Sequence, residues 1–158
     1  MSLSKFESEV KRVTRPQAVA YARVADLRNL EGVKRALTDP ALRPALEGQV
    51  PADKLEQMAK YAEGMTFGTD TLTIATPMGE MKLTVVEREE PKLVKLASEG
   101  APVQVYVWVQ LLPDGEEQSL MRVTVGAEVN FFLKGMVSKP LQQAADGLGE
   151  MLSRMASV

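Results

Sequence analysis

Between residues 4 and 13 the chain alternates, with Phe6, Ser8 and Val10 on one face and Glu7, Glu9 and Lys11 on the other. A period of two predicts a half-buried strand. Thr14 then offers a helix cap and Pro16 suits a first helical turn, where a missing N–H costs nothing. Val19, Ala20, Arg23, Val24 and Leu27 recur at helical spacing, and Leu30, Val33 and Leu37 continue a second helical segment. Pro40, Pro44 and Gly48 mark residues 39–50 as a loop. Past Pro51, Leu55, Met58, Ala59 and Ala62 fall at i, i+3, i+4 and i+7 of an amphipathic helix that Gly64 ends.

Strands follow at short intervals, near residues 65–67, 71–76, 79–88, 92–98, 103–112 and 118–129. Each break between them contains a proline, a glycine or an acidic turn former. The breaks are too short for crossover helices, so the strands run antiparallel as a meander. That excludes the parallel folds that carry dinucleotide and phosphate loops, and neither GxGxxG nor GxxxxGK[ST] occurs. Last comes a helix from residue 130 to about 156. Its stripe of Leu133, Met136, Val137, Leu141, Ala144, Leu148, Met151, Leu152 and Met155 spans roughly 39 Å at 1.5 Å per residue. Pro140 falls inside it and removes one i→i−4 bond, which favours a kink.

The predicted architecture is therefore α+β: a curved antiparallel sheet of about six or seven strands wrapped around a long C-terminal helix, with short helices between the first strand and the second. A sheet and a helix in this arrangement form a grip, and a grip can enclose a cavity. The inward positions that would line it are Phe6, Ser8 and Val10 on the first strand and Leu72, Ile74, Met81, Leu83 and Val85 on the next ones. Val105, Val107, Val109, Met121, Val123 and Val125 follow on the last two strands, and Leu133, Met136, Val137 and Leu141 on the helix. Met81, Met121, Met136, Met151 and Met155 all fall at presumed inward positions, where flexible thioethers serve either as core filling or as an adaptable apolar wall.

The residues 103–112 leave one orientation open. Val103, Val105, Val107, Val109 and Leu111 alternate with Gln104, Tyr106, Trp108 and Gln110. Valines inward is the preferred packing, since β-branched side chains suit a sheet core. It would leave Tyr106 and Trp108 outside, where amphipathic aromatics favour a homodimer interface. Aromatics inward would give the cavity groups able to orient a ligand.

At 158 residues the chain reads as one domain, residues 4–158, with residues 1–3 set aside as a possible expression leader. A net charge of −2, with short basic runs at Lys11, Arg12, Arg15 and at Lys34, Arg35, argues against nucleic acid as a partner. No stretch reaches the ~20 apolar residues of a membrane span, and Lys5, Glu7 and Glu9 stand where a signal peptide needs an apolar core. Cytoplasm is the expected compartment. The absence of histidine and cysteine removes the Ser–His–Asp triad, the thiol nucleophile and the usual zinc site. No cofactor and no metal is expected. Acid–base chemistry would fall to Asp, Glu, Lys or Tyr. Arg12 and Glu87 share parity with inward strand positions, so with Tyr106 they are candidates for polar groups at a cavity mouth; the alternative is that they simply hydrate at strand ends.

Several local strings carry a resemblance. They are Thr66-Phe67-Gly68-Thr69-Asp70-Thr71, Val86-Glu87-Arg88-Glu89-Glu90-Pro91-Lys92, Trp108-Val109-Gln110-Leu111 and Met121-Arg122-Val123-Thr124. Asn130-Phe131-Phe132 and Lys139-Pro140-Leu141 continue them into the last helix. In these and in element order, the chain resembles the polyketide cyclase/dehydrase-like branch of the START/Bet v1 superfamily, the helix-grip or SRPBCC proteins. The resemblance implies a sheet gripping the C-terminal helix, closed at one end by short helices. It further implies a cavity for apolar or amphipathic ligands such as lipids, sterols, quinones or polyketides. Some such proteins are cyclases or aromatases, but none of these strings is a catalytic signature. Three functions follow: a carrier for a small apolar ligand, a cyclase or dehydratase acting in the same cavity, or a cavity-free interaction module that dimerises through Tyr106 and Trp108.

Overall fold

A computed structural model describes residues 2–41, 44–47, 51–76, 79–99 and 104–157. Among these residues eight strands form one antiparallel sheet: β1 (Ser2–Glu7), β2 (Lys11–Val13), β3 (Thr66–Phe67), β4 (Thr71–Thr76), β5 (Gly79–Glu89), β6 (Leu93–Glu99), β7 (Val105–Asp114) and β8 (Gln118–Val129). Spatially the order is β1-β8-β7-β6-β5-β4-β3, with β2 also on β8. The expected meander is therefore present, and β1 returns the N-terminus to its last strand. Ser2 and Leu3 belong to that strand and pair with Val129 and Glu128.

Among the described residues five helices accompany the sheet: α1 (Gln17–Ala25), α2 (Leu30–Thr38), α3 (Pro44–Glu47), α4 (Ala52–Glu63) and α5 (Phe131–Ser157), with a 3-10 turn at Leu27–Asn29. One of them, α3, lies inside the stretch expected to be loop; Pro44 opens it, where proline fits a first turn. Thr14 does not cap α1, whose cap residue is Pro16. Its backbone N–H and hydroxyl instead meet Ser157, at 3.2 and 3.4 Å, tying the far end of α5 to the start of α1.

Two register shifts decide which side chains face α5. The first divides the expected first strand. Glu7 stands opposite Thr124, but Lys11 stands opposite Met121, so one residue has been inserted between β1 and β2. Ser8 anchors the break: it donates its N–H to the Val123 carbonyl at 2.8 Å and accepts the Val123 N–H on Oγ at 3.0 Å. Beyond it the alternation inverts, because a one-residue slip moves every later side chain to the other face. Val10 is consequently 59% exposed while Val13 is fully buried. The second shift is a bulge in β5: Val85 pairs with Leu96, but Glu87 pairs with Lys95.

On the inner face one cross-strand row runs Phe6–Val125–Val107–Leu96–Val85 and the next Val123–Val109–Val94. Val105, Val107 and Val109 are all buried, so the valines of β7 face inward and Tyr106 and Trp108 lie on the outer face. There the two rings sit 5.6 Å apart with Lys95 over both. Trp108 covers Gly126, whose missing side chain makes room; a Cβ there would come within 2.7 Å of the ring.

Candidate ligand site

Helix α5 is capped by Asn130, whose Oδ1 accepts the Leu133 N–H at 2.9 Å. From that cap it runs back along β8, β1 and β2, with α1 and α2 packed on its other flank. Its two halves differ. In the C-terminal half Ala145, Leu148, Met151, Leu152, Met155 and Ala156 are buried. Gly149 lets the helix settle against the β1–β2 break, since a Cβ there would sit 3.0 Å from Ser8 Cβ and Oγ. In the N-terminal half Leu133, Val137 and Leu141 are only partly buried, as are Phe67, Met81 and Val85 of the strands. Pro140 lies inside the open half, immediately before Leu141.

Polar ties explain why one end is closed. Gln17 donates to the Leu111 carbonyl at 3.1 Å, Tyr21 to the Leu93 carbonyl at 3.1 Å and Arg23 to the Ala156 carbonyl at 3.2 Å. Arg88 reaches the Ala25 carbonyl at 2.9 Å and the Asp70 carboxylate, and Lys34 donates to the Met65 carbonyl at 2.6 Å. Together with the Leu27 N–H, which donates to the Thr69 carbonyl at 3.2 Å, these bonds fasten α1, the 3-10 turn and α2 over the end of the sheet where α5 terminates. Burial pushes the Tyr21 phenol above its ordinary pKa, so it stays a donor at neutral pH.

Across the same region Lys11 and Glu150 pair at 2.9 Å, with Arg154 3.1 Å from the other carboxylate oxygen. The bond to Glu150 outweighs the desolvation of Lys11 and raises its pKa. Burial alone would raise that of Glu150, but Lys11 and Arg154 together hold it below the usual carboxylate range. This cluster clamps helix to sheet. It exists because the register slip turns Lys11 toward α5, where simple alternation would have turned Arg12.

The expected lining residues divide accordingly. Leu72, Leu83, Val105, Val107, Val109, Met121, Val123, Val125 and Ser8 are buried on the inner face, and Phe6, Met81, Val85, Leu133, Val137 and Leu141 are partly buried there. Val10 and Met136 do not join them: the first is inverted by the slip, and the second is 75% exposed on the solvent side of α5. The Ile74 side chain lies outside the described residues. None of the three polar candidates reaches the inner face. Arg12 projects to solvent and pairs with Asp114 at 3.6 Å. The β5 bulge carries Glu87 outward, opposite Lys95, and Tyr106 stacks on the outer face. Val13, Val94, Leu96 and Ser98 are inner-face residues that the sequence reading did not single out. The alternation of Val94, Leu96 and Ser98 was the available signal for three of them.

Among the described residues, no three acidic side chains come together where a metal could sit. On the inner face the Ser8, Ser119 and Ser98 hydroxyls are engaged within the protein: Ser8 Oγ donates to the Glu9 carbonyl, Ser119 Oγ to the Arg15 carbonyl, and Ser98 Oγ accepts the Val105 N–H. Thr84 Oγ1, buried without a partner among the described residues, alternates with Leu83 and Val85 and so lies on the opposite face. What the inner face offers beside the open half of α5 is apolar surface.

An antiparallel sheet with a long C-terminal helix along it, and short helices between its first strand and the rest, is the helix-grip fold of START- and Bet v1-like proteins. Solved structures with this fold match nearly the whole chain. Truncated norcoclaurine synthase from Thalictrum flavum is similar at a TM-score of 0.62 and 10% identity, over 98% of this chain and 93% of that one. Ara h 8.0201 is similar at 0.55 and 12% identity, covering 98% of each chain. A START superfamily protein from Mycobacterium smegmatis is similar at 0.51 and 11% identity, over 97% of this chain and 98% of that one. Such identities establish the fold. No protein-family model matches the chain, and no curated protein matches it in sequence.

Proposed function

We propose that the chain is a binding or carrier protein for a small apolar or amphipathic ligand, of lipid, quinone or polyketide type, held between the sheet and the N-terminal half of α5. One observation carries this reading. The apolar stripe of α5 continues for three turns past the fully buried core, as Leu133, Val137 and Leu141, on the side where Phe67, Met81 and Val85 are also left partly open. A helix that served only to cover its sheet would bury that stripe or lack it. Covering such surface with ligand gains ~25 cal/mol per Å², which suffices for binding without catalysis.

The enzyme reading has support from the fold alone, since norcoclaurine synthase is an enzyme. Arg12, Glu87 and Tyr106 cannot serve it, because they stand on the outer face. The test uses 1-aminoanthracene, a neutral apolar fluorophore. Saturable 1:1 binding by the wild-type protein is expected, abolished by Leu141→Trp and by Val107→Trp while thermal unfolding stays cooperative. Binding that survives both substitutions would rule out this site.

A further inference from the structure

The N-terminal half of α5 is apolar on its outward side as well. Phe132 is 84% exposed and Met136, one turn on, 75% exposed. These are the two most exposed large hydrophobic residues among those described, and they lie on one face of one helix, joined by Lys139 at the next turn. Charge in this stretch has one sign. From Asn130 to Ala145 the sequence contains Lys134 and Lys139, both exposed, and no acid until Asp146, in a chain whose net charge is −2. The acids at this end of the sheet are segregated from the helix. Glu80, Glu99 and Glu128 all alternate with inner-face residues and so point to the opposite side of the sheet.

We propose that this face of α5 docks on an anionic lipid surface. Exposed Phe and Met side chains enter the headgroup–acyl boundary, and lysines beside them meet the negative surface potential. Among the described residues no helix is long and apolar enough to cross a membrane, so the contact is interfacial. The orientation is constrained by α4, which touches α5 and carries exposed Asp53, Glu56 and Glu63; these must remain in water. The opposite side of the docked segment presents Leu133, Val137 and Leu141, so docking brings the open half of the helix to the bilayer. The proposal does not depend on the ligand reading, because a sealed interior would leave Phe132 and Met136 where they are.

Vesicle flotation tests it, with phosphatidylcholine vesicles against a 3:1 phosphatidylcholine:phosphatidylglycerol mixture. Wild type should float with the anionic vesicles and much less with the neutral ones, with binding falling as salt rises. Each lysine is worth roughly five-fold near such a surface. Lys134→Gln with Lys139→Gln should therefore lose at least ten-fold and with it the preference for phosphatidylglycerol. Phe132→Ser with Met136→Ser should lose at least as much on both vesicle types, and Met136→Ser alone an intermediate amount. All variants should keep the wild-type circular dichroism, since the side chains replaced are exposed. Val107→Trp should float normally, which separates failure of docking from failure of the ligand reading. Wild type that stays unbound at low salt, or variants that float as it does, would overturn the proposal. A concentration-dependent dimer abolished by Phe132→Ser would also overturn it, making a second copy the occupant.

Discussion

Two leucines about two turns apart on the same helix should behave as if they belonged to different proteins. Leu148 is fully buried against the inner face, and Leu141 is only partly buried beside the open half of α5. Replacing either by Ala changes helix propensity equally and slightly favourably, so propensity cancels in the comparison. At Leu148 three buried carbons leave the core, about 2.4 kcal/mol at 0.8 per methylene. The void they leave brings the expected cost to about 3–5 kcal/mol. At Leu141 part of the side chain already meets the opening, so the transfer loss is smaller and little new void forms; about 1 kcal/mol or less is expected. With a urea slope of about 2 kcal/mol/M, the midpoint should fall by roughly 1.5–2.5 M for Leu148→Ala and by about 0.5 M or less for Leu141→Ala. Binding of 1-aminoanthracene should show the reverse order, weakened several-fold at Leu141 and little changed at Leu148 once corrected for folded fraction. Equal stability losses at the two positions would refute the division of α5 into a core half and a site half.

The Lys11–Glu150 clamp should make stability depend on pH at both extremes. The folded-state pKa of Glu150 is depressed, so its contribution is present above the ordinary carboxylate value and is lost as pH falls through the depressed one. The pKa of Lys11 is raised, so its contribution is present below the ordinary lysine value and is lost as pH rises through the raised one. Glu150→Gln should cost about 1–3 kcal/mol by urea unfolding between pH 6 and 9, with the gap to wild type narrowing below about pH 4; a gap that persists unchanged at pH 3 would contradict the assignment. On the outer face, Gly126→Val should force the Trp108 ring aside, costing about 1–3 kcal/mol by thermal unfolding and shifting tryptophan emission. An unaltered spectrum would show that the ring does not lie over Gly126.

Element order and type were legible in the sequence because the periods of two and 3.6 were long and clearly bounded. The stripe of α5 read directly as Leu148–Met151–Met155 buried, whereas the alternation of β7 left two orientations open, and the preferred one, Val105–Val107–Val109 inward, is the one observed. Alternation could not reveal where it would be interrupted. The slip at Ser8–Val10 and the bulge after Val85 each consume one residue, and neither contains a glycine or proline to announce it. Those two residues account for the misplacement of Val10, Arg12 and Glu87, and for missing Val13 and the inward turn of Lys11. Met136 failed for another reason. A stripe wide enough to include it is wider than the surface α5 covers at its N-terminal end, where Leu133 and Val137 already occupy the side facing the sheet.

The account rests on an apolar ligand entering beside the N-terminal half of α5, and methyl-resolved NMR during titration with 1-aminoanthracene tests that most directly. Saturable shifts should concentrate in the methyls of Met81, Val85, Leu133, Val137 and Leu141, with Leu148, Met151 and Met155 nearly unmoved. Shifts confined to the outer face around Trp108, or an absence of saturable shifts anywhere, would contradict it.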